Sequence, residues 1–325
     1  GRSLFSAFNP MDNDESVAGL ETDGVANTNI IWHGGKLLAL EEGHAPFELD
    51  PHTLESIGPH IYGGKLKGPM TAHPKIDPEN GEMLFFGYNA NGTISEHMTF
   101  SVVDRDGKLL RSESFEAPYA AMVHDFVVTR DHVIFPIMPL TGSLERAFKG
   151  GPVYAWEPQK GSHIGIMPRN GSVKDLKWFR GEASYVFHPM NAFTGDDGKI
   201  VCDVCEYPEA PLFPGVDGQP GDPKKALAKL VRWTFDLNAQ TDRYQVEQLD
   251  DLVCEFPRLD ERRAGLSYRF GYFAGDTQPP EKVGGFNVIA AIDHQTGKLS
   301  SYDVGEGCAT SEPIFVPRSA SCEEG

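Results

Sequence analysis

The chain has 325 residues, with 29 basic and 47 acidic side chains and a formal net charge of −18. A surface this acidic repels phosphates, so the composition argues against nucleic acid as a partner. Apolar residues make up 40% of the chain, enough for a sizeable core, while 35 Gly and 24 Pro leave little room for long helices.

Short β-rich runs alternate with polar turns along most of the chain. Asx side chains cap such turns and Gly supplies positive φ, so the turns predict hairpin tips. The predicted tips are residues 50–52, 77–81, 104–107, 169–171, 196–198, 236–238 and 293–297. Their spacing is typical of the four-stranded blades of a β-propeller, although a sandwich or several small barrels would give similar turns.

Two later segments depart from this pattern. Residues 207–218 form a long Pro/Gly-rich stretch with apolar side chains, which predicts either a surface excursion or the lip of an apolar binding site. Residues 223–231 favour a lead-in to a strand at Trp233 over a helix.

Five cysteines, an odd number, indicate reduced thiols in a cytoplasmic protein. Cys202 and Cys205 form a CxxC pair, but a structural zinc site needs a second pair of ligands, and none follows at a suitable spacing. The longest apolar runs fall far short of the ~20 residues of a membrane-spanning helix, so no transmembrane segment is predicted.

The histidines are the remaining reactive side chains, because no nucleophile elbow, P-loop or dinucleotide fingerprint is present. Three follow apolar or small residues at apparent strand ends: His73, His124 and His188. Their contexts fit either buried core histidines or side chains aimed at a propeller axis, and their spacing alone identifies no metal site. The other eight are predicted at the surface: His33, His44, His52, His60, His97, His132, His163 and His294.

Seven short motifs then occur in an order that resembles the carotenoid cleavage oxygenase family, which includes lignostilbene dioxygenases and apocarotenoid oxygenases. Each motif is weak alone, but together they run over nearly the whole chain. They lie at residues 27–29, 39–55, 72–75, 123–126, 187–193, 254–257 and 311–317.

This resemblance implies an all-β fold, a seven-bladed β-propeller that is incomplete in this chain, with residues 1–325 as one partial domain. It also implies iron(II) on the propeller axis, held by four histidines. By position, His73, His124 and His188 are the first three ligands. The family's fourth ligand is expected beyond Gly325, and His294 is not a candidate for it. We therefore expect an internal fragment that is inactive on its own.

The resemblance further implies three carboxylates behind the metal ligands, at Glu42, Glu255 and Glu312. Four neutral imidazoles leave the 2+ charge of iron uncompensated, and a carboxylate that accepts the outer N–H of a ligand supplies negative charge and fixes its tautomer. Without the resemblance, solvated surface charge would be the simpler interpretation of these glutamates. Thr28 corresponds to the family residue that flanks the open position on the metal.

The implied reaction is oxidative cleavage of a C=C bond by O2, giving two carbonyl products from an apocarotenoid or a stilbene-type alkene. Glu41 stands where lignostilbene-cleaving members have a lysine that meets the substrate phenol, and a carboxylate would repel a phenolate. Tyr185 is expected to line the pocket near His188, or to be ordinary strand packing. Peripheral contact with a membrane or lipid phase is compatible with such substrates.

Two rival functions have different requirements. A metal-dependent lactonase-type propeller would need oxygen ligands for calcium on its axis, and a binding propeller would need no metal. Convergence of His73, His124 and His188 on one point is expected only for the oxygenase.

Overall fold

The computed structural model describes residues 25–278, 285–319 and 321–325, and strands make up most of its regular structure. In the described part the only α-helix is α1 (Leu144–Phe148), and 3-10 turns lie at Pro158–Lys160, Val173–Asp175 and Glu261–Arg263. The strands are β1 (Asn29–His33), β2 (Lys36–Leu40), β3 (Phe47–Leu49), β4 (Ser56–Pro59), β5 (Lys75–Ile76), β6 (Met83–Gly87), β7 (His97–Val103), β8 (Leu109–Glu116), β9 (Val127–Val128), β10 (His132–Ile137), β11 (Leu140–Gly142), β12 (Tyr154–Trp156), β13 (Ser162–Pro168), β14 (Lys177–Gly181), β15 (Tyr185–Thr194), β16 (Ile200–Tyr207), β17 (Lys229–Phe235), β18 (Gln245–Leu259), β19 (Phe270–Asp276), β20 (Val288–Asp293) and β21 (Lys298–Asp303). The all-β class predicted from the sequence is confirmed.

The strands form successive four-stranded antiparallel units, named A to E in chain order. Unit A is β1–β4, unit B is β5–β8, and unit C pairs β9, β10, β13 and β14, with the hairpin β11–β12 inserted. Unit D is β15–β18, and unit E is β18–β21. The long strand β18 is shared because its first half pairs with β17 and its second half with β19. Consecutive four-stranded units of this kind are the blades of a β-propeller.

All seven predicted hairpin tips are confirmed, since each lies between two consecutive strands that pair antiparallel. Asp77 shows the local reason: its Oδ1 accepts the backbone N–H of Glu79 at 2.7 Å. This hydrogen bond from backbone to the Asp77 side chain stabilises the turn between β5 and β6.

The core lies between neighbouring units. In β6, all five residues are buried, so both faces of the strand are covered. Met83 and Phe85 belong to the cluster shared with unit A, whereas Leu84 and Phe86 belong to the cluster shared with unit C. Because side chains alternate across a strand, one continuous apolar run serves two interfaces.

We call the first strand of each unit its inner strand, and the inner strands of units C and D pack together. Strand β15 of unit D packs against β9 of unit C and against β18. Between units A and B, the Asn29 side chain donates to the carbonyl of Ala72 at 2.8 Å. The residues before and within these inner strands are therefore brought close together.

Two expectations about surface histidines are wrong. His33 is only 7% exposed, and its Nε2 lies 2.9 Å from the carbonyl oxygen of Gly81. The His294 side chain is also buried, beside the Tyr268 ring and Arg232. Both sit next to turns, where sequence context suggests exposure, but neighbouring hairpins cover them.

The structure also shows what the two segments without the turn pattern form. Strand β17 starts at Lys229, so residues 223–231 lead into the strand containing Trp233, as predicted. The stretch 207–218 contains no helix and exposes Leu212 and Val216. Within the described residues, no helix is long and apolar enough to cross a membrane.

Gly87 at the end of β6 gives a test of this packing. A Cβ there would overlap the carbonyl oxygen of Pro69 and lie 3.0 Å from the Thr99 hydroxyl. We expect Gly87→Ala to lower the free energy of unfolding by about 1–3 kcal/mol, because backbone must shift to admit the methyl group. Urea unfolding measures the change. Gly285→Ala is the control, since a Cβ at Gly285 meets nothing within 4 Å; equal effects of the two variants would contradict the packing described.

Candidate metal centre

Three histidines meet at the inner edge of units B, C and D. His124 Nε2 lies 3.0 Å from Nε2 of His73 and 3.0 Å from Nε2 of His188. One nitrogen from each of the three lies within 4.8 Å of the others. His73 and His124 directly precede the first strands of units B and C, and His188 lies in the first strand of unit D. Each unit thus contributes one side chain to a common point.

Irregular strand pairing directs His188 inward. The register between β15 and β16 shifts between Val186 and Pro189 and again between Pro189 and Asn191. Such bulges change the direction in which a side chain points. Pro189, which lacks a backbone N–H, directly follows His188 and contributes to the irregularity.

A second irregularity directs Glu255. The pairing of β18 with β19 shifts between Glu255 and Arg258, and Phe256 between them has a φ of 54°. A bulky residue in the left-handed region is held there by its surroundings. The Phe256 ring lies 5.3 Å from the His188 ring, so the same distortion places a carboxylate and an aromatic ring beside one histidine.

Two of the predicted carboxylates contact the outer nitrogens of the cluster. Glu42 Oε1 is paired with Nδ1 of His124, and Glu255 Oε2 lies 2.6 Å from Nδ1 of His188. Both glutamates are buried. A carboxylate at Nδ1 holds the proton on that nitrogen, so Nε2 keeps its lone pair and faces the other histidines.

This donor set fits a metal ion. With Nδ1 protonated, His124 Nε2 has only a lone pair to present to two nitrogens at 3.0 Å, and two such contacts cannot both be hydrogen bonds. A cation at the common point resolves the repulsion. Metal–nitrogen bonds of about 2.1 Å place ligands at right angles about 3.0 Å apart, which matches the separations observed.

The electrostatics of the individual imidazoles agree with this role. Burial, aided by His124 and His188, lowers the pKa of His73 far below its usual value, so His73 is neutral. Burial opposes a charge on His188 too, but the charge and hydrogen bond of Glu255 raise its pKa above the usual value. Glu255 therefore secures the proton on the outer nitrogen of His188.

The third predicted carboxylate is placed differently. Glu312 lies in the wall of a cavity of about 570 Å³ that also reaches His73 and His188. Its Oε1 accepts from Arg258 at 3.0 Å, and its side chain is 43% exposed. Among the described residues, the structure gives Glu312 no hydrogen bond to a histidine.

For the remaining predicted site residues, the described part of the chain shows contacts with residues other than the three histidines. Thr28 is exposed, and its hydroxyl donates to Asn27 at 3.1 Å. The Glu41 carboxylate accepts the backbone N–H of Gly43 at 2.5 Å and lies 3.7 Å from His44. Tyr185 is fully buried, its ring is 4.8 Å from that of Phe187, and its hydroxyl has no hydrogen-bond partner among the described residues.

An ion pair that sequence reasoning missed joins two of the histidine segments. Lys75 Nζ donates to Asp125 Oδ1 at 2.7 Å, and Asp125 is 4% exposed. Lys75 is two residues after His73, and Asp125 follows His124, so the pair ties unit B to unit C beside the cluster. The sequence signal for this ion pair was a lysine and an aspartate, of opposite charge, close to His73 and His124.

The fold and site together define a class of protein: a β-propeller with three converging histidines that could hold a metal ion. Comparisons with known proteins agree. The family model described as "Retinal pigment epithelial membrane protein" matches residues 1–325. Isoeugenol monooxygenase of Pseudomonas putida is 42% identical over 100% of this chain and 70% of its own length. Lignostilbene-alpha,beta-dioxygenase isozyme III of Sphingomonas paucimobilis is 38% identical over 100% of this chain and 69% of its own length.

Solved structures give the same result. Lignostilbene dioxygenase of Pseudomonas brassicacearum superimposes with a TM-score of 0.89 at 38% identity, covering 97% of this chain and 68% of that protein. The cobalt-substituted apocarotenoid oxygenase of Synechocystis gives a TM-score of 0.78 at 30% identity, covering 92% and 64%. This chain belongs to the carotenoid cleavage oxygenase family, whose structures are seven-bladed β-propellers, and the predicted family and fold are confirmed.

The glutamates give a matched test of the centre. We expect Glu42→Gln and Glu255→Gln each to weaken binding of Co²⁺ or Fe²⁺ by about 10–100-fold, because each removes the charge behind one imidazole. Glu79→Gln serves as the comparison and should change affinity far less, since Glu79 is an exposed residue that pairs with Arg130. Competition titration of the full-length protein against a chelator measures the constants. Equal losses for all three variants would contradict the assigned contacts.

Proposed function

We propose that this chain carries the three-histidine part of an iron(II) centre that cleaves the C=C bond of an aromatic alkene with O2. The observation that carries the proposal is the convergence of the His73, His124 and His188 Nε2 atoms, two of them backed by buried carboxylates. Relatives named as monooxygenases, dioxygenases and cleavage oxygenases support the reaction class.

Charge and ligand type favour iron(II) at this position. Imidazole nitrogens suit iron among other divalent transition metals, so the ligands alone leave several metals open. Glu42 and Glu255 supply two negative charges beside the cluster, which balance a 2+ ion. Iron, unlike zinc, would supply what the reaction needs, namely binding and activation of O2.

The side chains around the centre would position the alkene and exclude water. Phe187 lies 5.3 Å from the His124 ring, and Phe256 lies 5.3 Å from the His188 ring. Buried Tyr185 packs on Phe187. Both atoms of O2 are accounted for in the two carbonyl products, so no acid or base from the protein is required; apolar packing and orientation are its contribution.

For the substrate, an alkene conjugated to an aromatic ring is favoured. Relatives named for isoeugenol, lignostilbene and resveratrol head the similarities, and an apocarotenoid oxygenase is a structural neighbour. The charge of Glu41 bears on the choice between phenolic and non-phenolic substrates. Its carboxylate is engaged with Gly43 and lies near His44. A negative charge there disfavours a phenolate at this position.

The proposed location is the cytoplasm, with peripheral contact to a lipid phase. Cys202, Cys205 and Cys254 are buried free thiols, which suits a cytoplasmic protein. Exposed Phe148 and Leu212 are candidates for peripheral contact with a lipid phase that holds apolar substrates.

The rival functions fit the described residues less well. A calcium-dependent lactonase would gather carboxylate and amide oxygens on the axis, whereas here imidazole nitrogens converge and the carboxylates bind their outer atoms. A propeller used only for binding would gain nothing from holding the His124 nitrogen 3.0 Å from a nitrogen of His73 and of His188.

The test is an assay of the full-length, iron-loaded protein under O2 with isoeugenol, a hydroxystilbene and an apocarotenal. We expect aldehyde products that incorporate label from ¹⁸O2, and loss of at least about 100-fold in rate for His188→Ala, which removes one metal ligand. Tyr119→Phe, a buried phenol away from the cluster, is the control. No product from any alkene would contradict the proposed function, and rapid cleavage of the hydroxystilbene would contradict the role given to Glu41.

A further inference from the structure

The carboxylate of Glu42 has a second partner besides His124. The hydroxyl of Tyr88 donates to Glu42 Oε2 at 2.9 Å, while Glu42 Oε1 takes the outer nitrogen of His124. A phenol, a carboxylate and an imidazole thus form a continuous chain that ends at the convergence point. Three units contribute to it, because Glu42 follows β2, Tyr88 follows β6 and His124 precedes β9.

The backbone fixes Tyr88 independently of any metal. Before it, Gly87 fits directly against the Pro69 carbonyl, and Phe86 accepts the backbone N–H of Thr71 at 2.7 Å. After it, Asn89 has a φ of 53°, and its side chain donates to the Tyr154 hydroxyl at 2.8 Å and accepts from Ser95 at 2.9 Å. These contacts hold the phenol of Tyr88 in place without any contribution from Glu42.

The other carboxylate of the cluster is held in a related way. Glu255 Oε2 accepts both from His188 and from the backbone N–H of Phe256, at 2.6 Å and 2.5 Å. Each glutamate behind a histidine therefore has a second donor. For Glu255 that donor is the main chain, and for Glu42 it is a side chain that can be removed by substitution.

We propose that Tyr88 is a positioning residue that acts through Glu42 on His124. Its hydrogen bond occupies Glu42 Oε2 and so fixes Oε1 as the oxygen that faces His124. Without the hydroxyl, the Glu42 carboxylate can rotate, so its contact with the outer nitrogen of His124 is no longer fixed. The effect on metal binding rests on the proposed function, whereas the effect on the His124 proton does not.

The first experiment measures Co²⁺ affinity and the cobalt absorption spectrum in full-length Tyr88→Phe. We expect affinity to fall by about three- to tenfold, less than for loss of Glu42 itself, with an altered spectrum. Tyr119→Phe is the matched control, because it removes a buried phenol that donates to the carbonyls of Ile137 and Gly161. In a Glu42→Gln background, Tyr88→Phe should have little further effect. Independent, additive effects, or no difference from Tyr119→Phe, would overturn the proposal.

The second experiment uses metal-free protein and ¹⁵N NMR of the histidine rings. We expect the His124 proton on Nδ1, with a resonance that moves in Tyr88→Phe and stays in place in Tyr119→Phe. A proton on Nε2 of His124 in the parent protein would overturn the proposal, even if Tyr88→Phe proved too unstable to purify. A parent protein that binds no cobalt but shows this coupling would contradict the proposed function and leave the phenol–carboxylate–imidazole chain supported.

Discussion

Two contacts between carboxylates and imidazoles determine what the histidine cluster can do. Glu42 and Glu255 take the outer nitrogens of His124 and His188, so the inner nitrogens face one another and His73 with their lone pairs free. The lone pairs of His124 and His188, 3.0 Å apart, repel in the absence of a cation. The same two carboxylates supply the negative charge that a divalent ion needs, so one interaction sets both geometry and charge.

The arrangement of the four-stranded units brings these glutamates and histidines together. Units B, C and D each contribute one histidine, from the segment before their first strand or from within it, and the first strands of units C and D pack together. Where regular pairing would point a side chain the wrong way, the ladder is interrupted, at Pro189 and at Phe256. The apolar strands that pack between units hold these irregular segments in place. Packing of the core therefore positions the side chains of the site.

Much of this could be predicted from the sequence because the signals are local. Turn residues located all seven hairpin tips, and the motif order indicated the family. Contacts between distant segments could not be predicted in this way. The pairing of Glu312 with Arg258, the burial of His33 under a neighbouring turn, and the Tyr88 hydrogen bond to Glu42 all depend on how units pack, which no local pattern encodes.

The central claim is that imidazole nitrogens bind the metal directly while glutamates stay behind them. X-ray absorption spectroscopy of the iron-loaded, full-length protein tests this most directly. We expect nitrogen neighbours at about 2.0–2.2 Å with the outer-shell scattering of at least three imidazole rings, and no bound glutamate carboxylate. A first shell of oxygen ligands without imidazole scattering would contradict it.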